Sequence, residues 1–235
     1  MNTFFEDDLH LTEFEVDGTI FTFLLNSRQD HIQQFLARGD FYEREELELL
    51  GSFCNGRRRL LDIGANIGNH SIFLAHRLNL ERVTPIEPQP AIMHVLKANL
   101  GLNWRPSFDL SHLGLALGAQ DGWVQIGAFN EQNIGGTRMK PLEEPAQMHG
   151  MVRLVAGDHL FRPGEFDIVK IDVEGMEGDV LSGLGGFFKE FDGVIFVEVH
   201  DIDADALADQ VADMGFRKVD EFRRYKKCTN WILTR

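Results

Sequence analysis

This chain has few cysteines and no long apolar segments. Both features limit the classes of protein to which it can belong. Only two cysteines, Cys54 and Cys228, occur in 235 residues, and they lack the spacing of a zinc site. No apolar run approaches the roughly 20 residues that cross a bilayer. The acidic start, Met1 to His10, has neither the basic nor the apolar region of a secretion signal. We therefore expect reduced thiols, a cytoplasmic location and no membrane partner.

Positive charge is also in short supply. The chain carries 23 lysines and arginines against 37 aspartates and glutamates, so its formal net charge is −14. This balance suits a polyphosphate backbone poorly and argues against a nucleic-acid partner. The basic clusters Arg57 to Arg59 and Arg223 to Lys227 are short, and such clusters are typical of solvated surface beside a strand.

Hydrophobic periodicity divides one globular chain into an N-terminal extension, residues 1–55, and a core, residues 56–235. The extension begins with a predicted hairpin around Asp17-Gly18 and continues with two short amphipathic helices. In the core, strand patterns alternate with helix patterns, which predicts an α/β fold with a mostly parallel sheet. We predict core strands at 59–63, 82–87, 151–155, 166–171 and 193–199, a β region at 108–129, a loop at 130–150, a helix at 177–188 and an antiparallel pair at 216–234.

The segment Leu60 to His70, LLDIGANIGNH, is the most informative stretch. It has the pattern of a buried strand, a glycine turn and a helix start. Glycines let the backbone approach a ligand closely, and a helix N-terminus offers free N–H groups to a carboxylate. Asp62, two residues before the first glycine, can accept from an ammonium group. This arrangement predicts a site for S-adenosylmethionine (SAM). The cofactor contacts predicted in this segment are Asp62, Gly64, Ala65, Asn66, Gly68, Asn69 and His70.

Two other interpretations of the turn are weaker. A dinucleotide site requires G-x-G-x-x-G, because the middle glycine lets a pyrophosphate come close. Here Asn66 stands at the middle position, which disfavours NAD and FAD. A plain connection between a strand and a helix would explain Gly64 and Gly68 but not the acid before them.

Glu87 is the second sign of an adenosine ligand. It ends the next predicted strand, about twenty residues after the turn, where a carboxylate can accept from both ribose hydroxyls. A ribose in a dinucleotide site would use the same contact, so Glu87 does not separate SAM from NAD. The other interpretation of Glu87 is a solvated acid before Pro88.

Four segments of the chain resemble the FkbM family of SAM-dependent methyltransferases. They read LDIGANIGNHSIFLA, IEPQPAIMHVLKANL, DIVKIDVEGMEGDVLSG and VIFVEVH, and the resemblance covers roughly residues 40–200. It implies a class I SAM-dependent methyltransferase fold, which is Rossmann-like with a seven-stranded sheet. It also implies methyl transfer to a hydroxyl of a sugar, a glycan or a small natural product. N-methylation of a small amine, or SAM binding without transfer, remain the alternatives.

The acceptor side of the site is predicted from the ends of two later strands. Asp172 ends a central strand, so it can face the sulfonium or the acceptor hydroxyl, and we count it with both the cofactor-binding and the catalytic residues. His200 ends the fifth strand and is a candidate general base, although it is equally well explained as a hydrogen-bonded strand end. Glu174 and Glu177 suggest either a helix start or a divalent cation. Because the sequence shows no further ligand cluster, no metal is predicted.

Overall fold

The computed structural model describes residues 9–105, 107–127, 132, 136–142 and 150–235. Within these residues it has twelve strands and eight helices. The strands are β1 (His10–Val16), β2 (Thr19–Leu25), β3 (Arg59–Ile63), β4 (Arg82–Ile86), β5 (Leu115–Gly118), β6 (Gly122–Ile126), β7 (Met139–Leu142), β8 (Met151–Ala156), β9 (Ile168–Ile171), β10 (Val194–His200), β11 (Arg217–Phe222) and β12 (Cys228–Thr234). The helices are α1 (His31–Ala37), α2 (Arg44–Phe53), α3 (Asn69–Arg77), α4 (Pro90–Leu102), α5 (Gly157–Leu160), α6 (Glu177–Gly183), α7 (Gly185–Phe188) and α8 (Ala204–Asp213).

The main sheet has the strand order β11-β12-β10-β9-β3-β4. Strands β4, β3, β9 and β10 run parallel, and β12 lies antiparallel between β10 and β11. The predicted α/β class and the C-terminal antiparallel pair are confirmed. The predicted count of seven strands is not, because six strands form this sheet in the described residues. Beyond β4 a single bridge, Val83 to Phe108, continues the pairing, and β5 instead joins a separate sheet of order β5-β8-β6-β7.

The central strands are apolar along their whole length because both faces of the sheet are covered. Leu60 on β3 packs into one hydrophobic cluster, together with Ile168, whereas Leu61 packs into the opposite cluster with Val169. This alternation follows from successive strand side chains pointing to opposite faces. The sheet therefore separates two cores, and helices α6 to α8 supply residues to the second one.

The N-terminal hairpin is fastened to the core by side-chain amides. Its turn, Asp17-Gly18, has positive φ at both residues, as a two-residue hairpin turn requires. Asn99 Oδ1 accepts from the Leu24 amide at 2.7 Å, and Asn103 Oδ1 accepts from the Thr22 amide at 3.1 Å. These bonds fix the edge of β2 on helix α4. The division of the chain at residue 55 stays a prediction.

Two local predictions differ from the structure. The helix predicted at 177–188 is broken at Leu184, because the flanking glycines disfavour a continuous helix there. The loop predicted at 130–150 contains strand β7, which pairs with β6, and most of its other residues lie outside the described residues. Residues 1–8, where no secretion signal is predicted, also lie outside them. None of the described helices is both long and apolar enough to cross a membrane.

Candidate active site

A cavity of about 520 Å³ opens at the carboxyl ends of the parallel strands. It lies where the strand order reverses, since β4 follows β3 on one side and β9 and β10 lie on the other. Ligands of open α/β sheets bind at this kind of position. Each of the four parallel strands brings a residue at or next to its end to the wall, and these residues are Gly64, Glu87, Asp172 and His200.

The turn after β3 requires glycine at Gly64 because of its backbone conformation and a close neighbour. Gly64 has φ +84°, and a Cβ at this position would lie 1.8 Å from the carbonyl oxygen of Asp172. Gly68 has φ +93° and forms the N-terminal cap of α3. Asn66 also has a positive φ, +49°, which asparagine tolerates better than most residues. The turn thus brings the backbone of β3 against β9 and exposes Gly64 and Asn66 to the cavity.

Glu87 is buried at the end of β4 and faces both the turn and the cavity. Its two carboxylate oxygens accept from the backbone amides of Asn66 and Gln89, each at 2.9 Å. Burial raises the pKa of Glu87 to about 7, although these two bonds act in the opposite direction. Ile86, Ala116 and Leu117 give the same cavity an apolar wall.

Five of the predicted cofactor residues do not line the cavity: Asp62, Ala65, Gly68, Asn69 and His70. Asn69 exchanges two hydrogen bonds with the backbone of Tyr42, and His70 Nε2 lies 3.4 Å from a Glu43 carboxylate oxygen. These two side chains attach the N-terminal extension to the start of α3. Their contacts with a cofactor stay predictions.

Asp62 has a buried partner, Lys170, which the sequence analysis missed. The ammonium of Lys170 lies 3.3 Å from Asp62 and 3.3 Å from Asp172, and it donates to the Gly64 carbonyl at 2.9 Å. Asp62 also accepts from the Ser71 hydroxyl at 2.6 Å. Burial alone would lower the pKa of Lys170, but the two aspartates outweigh it and raise that pKa. The visible signal was a lysine inside an otherwise apolar strand.

Four titratable side chains line the cavity at or near the ends of β9 and β10: Asp172, Glu174, Glu198 and His200. His200 Nε2 lies 3.5 Å from Glu174 and 4.0 Å from Glu198. Burial, followed by the nearby carboxylates, raises the pKa of Glu174 to about 7 and that of Glu198 to about 9. Glu177 is different, because it accepts from the Gly175 amide at 3.0 Å, as expected of an acid at a helix start.

The comparison with known families agrees with this geometry. The model of the methyltransferase FkbM domain matches residues 62–222, and this range includes the glycine turn, Glu87, Asp172 and His200. The chain belongs to the FkbM methyltransferase family. Its fold is that of the class I SAM-dependent methyltransferases.

Three proteins illustrate what this FkbM-family chain is similar to. The hexuronic acid methyltransferase AglP of Haloferax volcanii is 27% identical over 189 residues, which cover 79% of this chain and 73% of AglP. Methyltransferase FkbM from Methylobacillus flagellatus is 16% identical with a TM-score of 0.55, covering 74% of this chain and 43% of that one. M. jannaschii TYW2, solved in complex with AdoMet, is 16% identical with a TM-score of 0.51, covering 96% and 86%.

In this FkbM-family chain the N-terminal extension and the segment that joins β11 to β12 also contribute residues to the cavity. The rings of Tyr42 and His31 meet edge to face, with centroids 5.5 Å apart, and Tyr225 comes from the connection before β12. All three line the cavity, as does the buried carboxylate of Glu43. Sequence periodicity could not find these residues, because they lie in loops and helix ends brought together by the fold.

Gly64→Ala is expected to destabilise the protein by about 1–3 kcal/mol more than Gly56→Ala. Both glycines have positive φ, but a Cβ at Gly56 meets nothing within 4 Å, whereas one at Gly64 strikes the Asp172 carbonyl. The matched pair therefore separates the cost of the conformation from that of the close approach. Urea unfolding of both variants measures the difference, and equal losses would mean that β3 and β9 separate freely at this turn.

Proposed function

We propose that this protein is a SAM-dependent O-methyltransferase whose acceptor is a hydroxyl of a sugar, a glycan or a small natural product. One observation carries the proposal. One cavity is lined by the glycine turn and Glu87 after β3 and β4, which form its first wall, and by Asp172 and His200 at the ends of β9 and β10, which form its second wall. A cofactor on the first wall would place its methyl group toward the second, where a proton acceptor is available.

The residues of the first wall fit SAM. Glu87 presents a buried carboxylate that two backbone amides hold in place, so its remaining lone pairs can accept from ribose hydroxyls. The apolar side chains of Ile86 and Leu117 suit an adenine ring. Bound SAM supplies a methyl group activated by a positively charged sulfur. Asp62 would act on the cofactor site indirectly, because it holds Lys170, which donates to the Gly64 carbonyl in the turn.

The second wall would orient the acceptor and take its proton. Attack of the acceptor oxygen on the methyl carbon would release the neutral thioether, and the hydroxyl proton would have to pass to a base. Asp172 and His200 are the two candidate bases, because both line the cavity at adjacent strand ends. Holding the acceptor oxygen in line can supply roughly 7–11 kcal/mol, and a base adds roughly 10²–10⁴-fold.

A sugar acceptor is supported by the relative and by the chemistry of the wall. AglP is a hexuronic acid methyltransferase, although it is only 27% identical. Carboxylates accept from sugar hydroxyls, and the side chains of Tyr42 and Tyr225 line the same cavity. The same acidic wall also favours a cationic amine, which keeps N-methylation as the second candidate. The prediction that no nucleic acid is bound remains untested.

The test is a panel of acceptors incubated with the protein and methyl-labelled SAM. The panel holds neutral sugars, uronic acids, hydroxylated natural products and small amines, and mass spectrometry locates the added methyl group. We expect transfer to an oxygen of a hydroxylated acceptor. Transfer confined to the amines would replace the proposal with N-methylation, and SAM binding without any transfer would favour a binding protein.

Glu87→Ala is expected to weaken SAM binding by ~1.5–3 kcal/mol, which is roughly 10- to 150-fold in the dissociation constant. The substitution removes the acceptor for the ribose hydroxyls at the end of β4. Glu81→Ala is the matched control, because Glu81 is an exposed acid just before the other end of the same strand. Calorimetry gives both constants. An unchanged value for Glu87→Ala would leave Glu87 as a residue that only holds the turn.

A further inference from the structure

The donor atoms of Glu174, Glu198 and His200 form a compact group on the acceptor wall. One atom from each side chain lies within 4.8 Å of the other two, and two of the separations are 3.5 and 4.0 Å. A divalent cation bound at about 2.1 Å holds neighbouring ligands roughly 3–4 Å apart. The three side chains therefore need only small rotations to share one ion.

The scaffold places these donors on two neighbouring strands of the main sheet. Glu198 and His200 are two residues apart on β10, so their side chains emerge on the same face. Glu174 comes from the connection after β9, the parallel neighbour of β10. The sequence analysis considered a cation only at the acids around Glu174. The fold places two further donors, Glu198 and His200 of strand β10, next to Glu174.

His200 adds a further observation within the same group. Its Nε2 atom is covered from solvent and has no hydrogen-bond partner among the described residues. Buried polar atoms almost always have such a partner, so an orphaned ring nitrogen pointing at two carboxylates needs an explanation. Neutral imidazole nitrogen is among the commonest metal ligands in proteins.

The charge around the group also favours a cation. Among the described residues, His200 is the ion-pair partner of both Glu174 and Glu198. Lys170 is already held by Asp62 and Asp172. The segments outside the described residues contain no lysine or arginine. Arg138, another described residue, also acts electrostatically on Glu174 and lowers its pKa. Burial and the neighbouring acids nevertheless raise the pKa values of both Glu174 and Glu198, and a divalent cation would offset that repulsion.

We propose that Glu174, Glu198 and His200 bind a divalent cation, such as Mn²⁺ or Mg²⁺, that holds the hydroxyl group of the acceptor. Mixed carboxylate and imidazole ligands suit such ions, and three protein ligands leave positions open toward the cavity. In this arrangement His200 holds the cation and Asp172 takes the proton. The part concerning the acceptor rests on the proposed function, but binding of the cation does not.

The experiment is a titration of the EDTA-treated protein with Mn²⁺, in which paramagnetic resonance measures the free Mn²⁺. We expect one Mn²⁺ per chain and a loss of at least about tenfold in affinity in both Glu198→Gln and Glu174→Gln. Asp179→Asn, which changes an exposed acid on helix α6, should bind as the wild type does. Thermal melts of all variants show which of them fold.

Two results would overturn the site: a wild-type protein that binds no Mn²⁺ at millimolar concentration, with or without SAM, or equal affinity in all folded variants. Methyl transfer at the same rate in EDTA as in Mn²⁺ would overturn the role in holding the acceptor while the proposed function stands. Stoichiometric Mn²⁺ binding that depends on Glu174 and Glu198, with no transfer to any acceptor, would support the site and count against the proposed function instead.

Discussion

His200→Ala is expected to lower the rate of methyl transfer roughly 10²- to 10⁴-fold while leaving the dissociation constant for SAM nearly unchanged. His200 lies at the end of β10, separated from the glycine turn after β3 by strand β9, and its Nε2 points at Glu174 and Glu198. Its loss removes either the base or a ligand of the proposed cation. Neither role involves the glycine turn or Glu87, where SAM is proposed to bind.

Single-turnover rates with labelled SAM measure this effect, and His94→Ala is the control, since His94 is exposed on helix α4. Asp172→Asn separates the two candidate bases, because the variant with the larger loss identifies the group that takes the proton. Wild-type rates in His200→Ala and Asp172→Asn alike would remove both residues from the mechanism and leave orientation to explain the rate.

Lys170→Met is expected to lower the free energy of unfolding by about 3–5 kcal/mol, because it removes the only positively charged partner that Asp62 has among the described residues and leaves this buried acid with the Ser71 hydroxyl alone. Methionine keeps most of the side-chain volume, so the loss reports the charge rather than a cavity. Urea unfolding gives the value.

Lys189→Met is the control for this variant, since Lys189 is exposed and its loss should cost less than about 0.5 kcal/mol. The double variant Asp62→Asn with Lys170→Met should recover part of the stability. If Lys170→Met and Lys189→Met unfold at the same urea concentration, the lysine does not neutralise Asp62, and the turn is held by its backbone contacts alone.

The sequence predicted the fold best in the buried central strands and in the glycine turn, where the residue types allow few other structures. The apolar runs of β3, β9 and β10 predicted the central sheet to within one or two residues at each end. The glycine turn was equally clear, because a positive φ and a close neighbour leave few residue types possible. The broken helix at Leu184 was less clear, since glycine weakens a helical pattern without fixing where it stops.

From the sequence, only those residues of the candidate site that lie at the ends of strands could be placed together. Residues at the ends of parallel strands meet at one edge of the sheet, so Glu87, Asp172 and His200 were placed together from the sequence alone, and the structure gives them one cavity. The partners of Asp62 were not predictable, because Lys170 reaches it from a neighbouring strand more than 100 residues later. Tyr42 and Tyr225 meet through tertiary packing, which no local pattern encodes.

The measurement that tests the central claim most directly is calorimetry of the purified protein with SAM and, separately, with NAD. A turn with Asn66 at the middle position and Glu87 at the end of the next strand predicts that SAM binds at one site per chain and that NAD binds much more weakly. NAD binding more tightly than SAM would contradict the account, because it would mean that this cavity accepts a pyrophosphate rather than a sulfonium ligand.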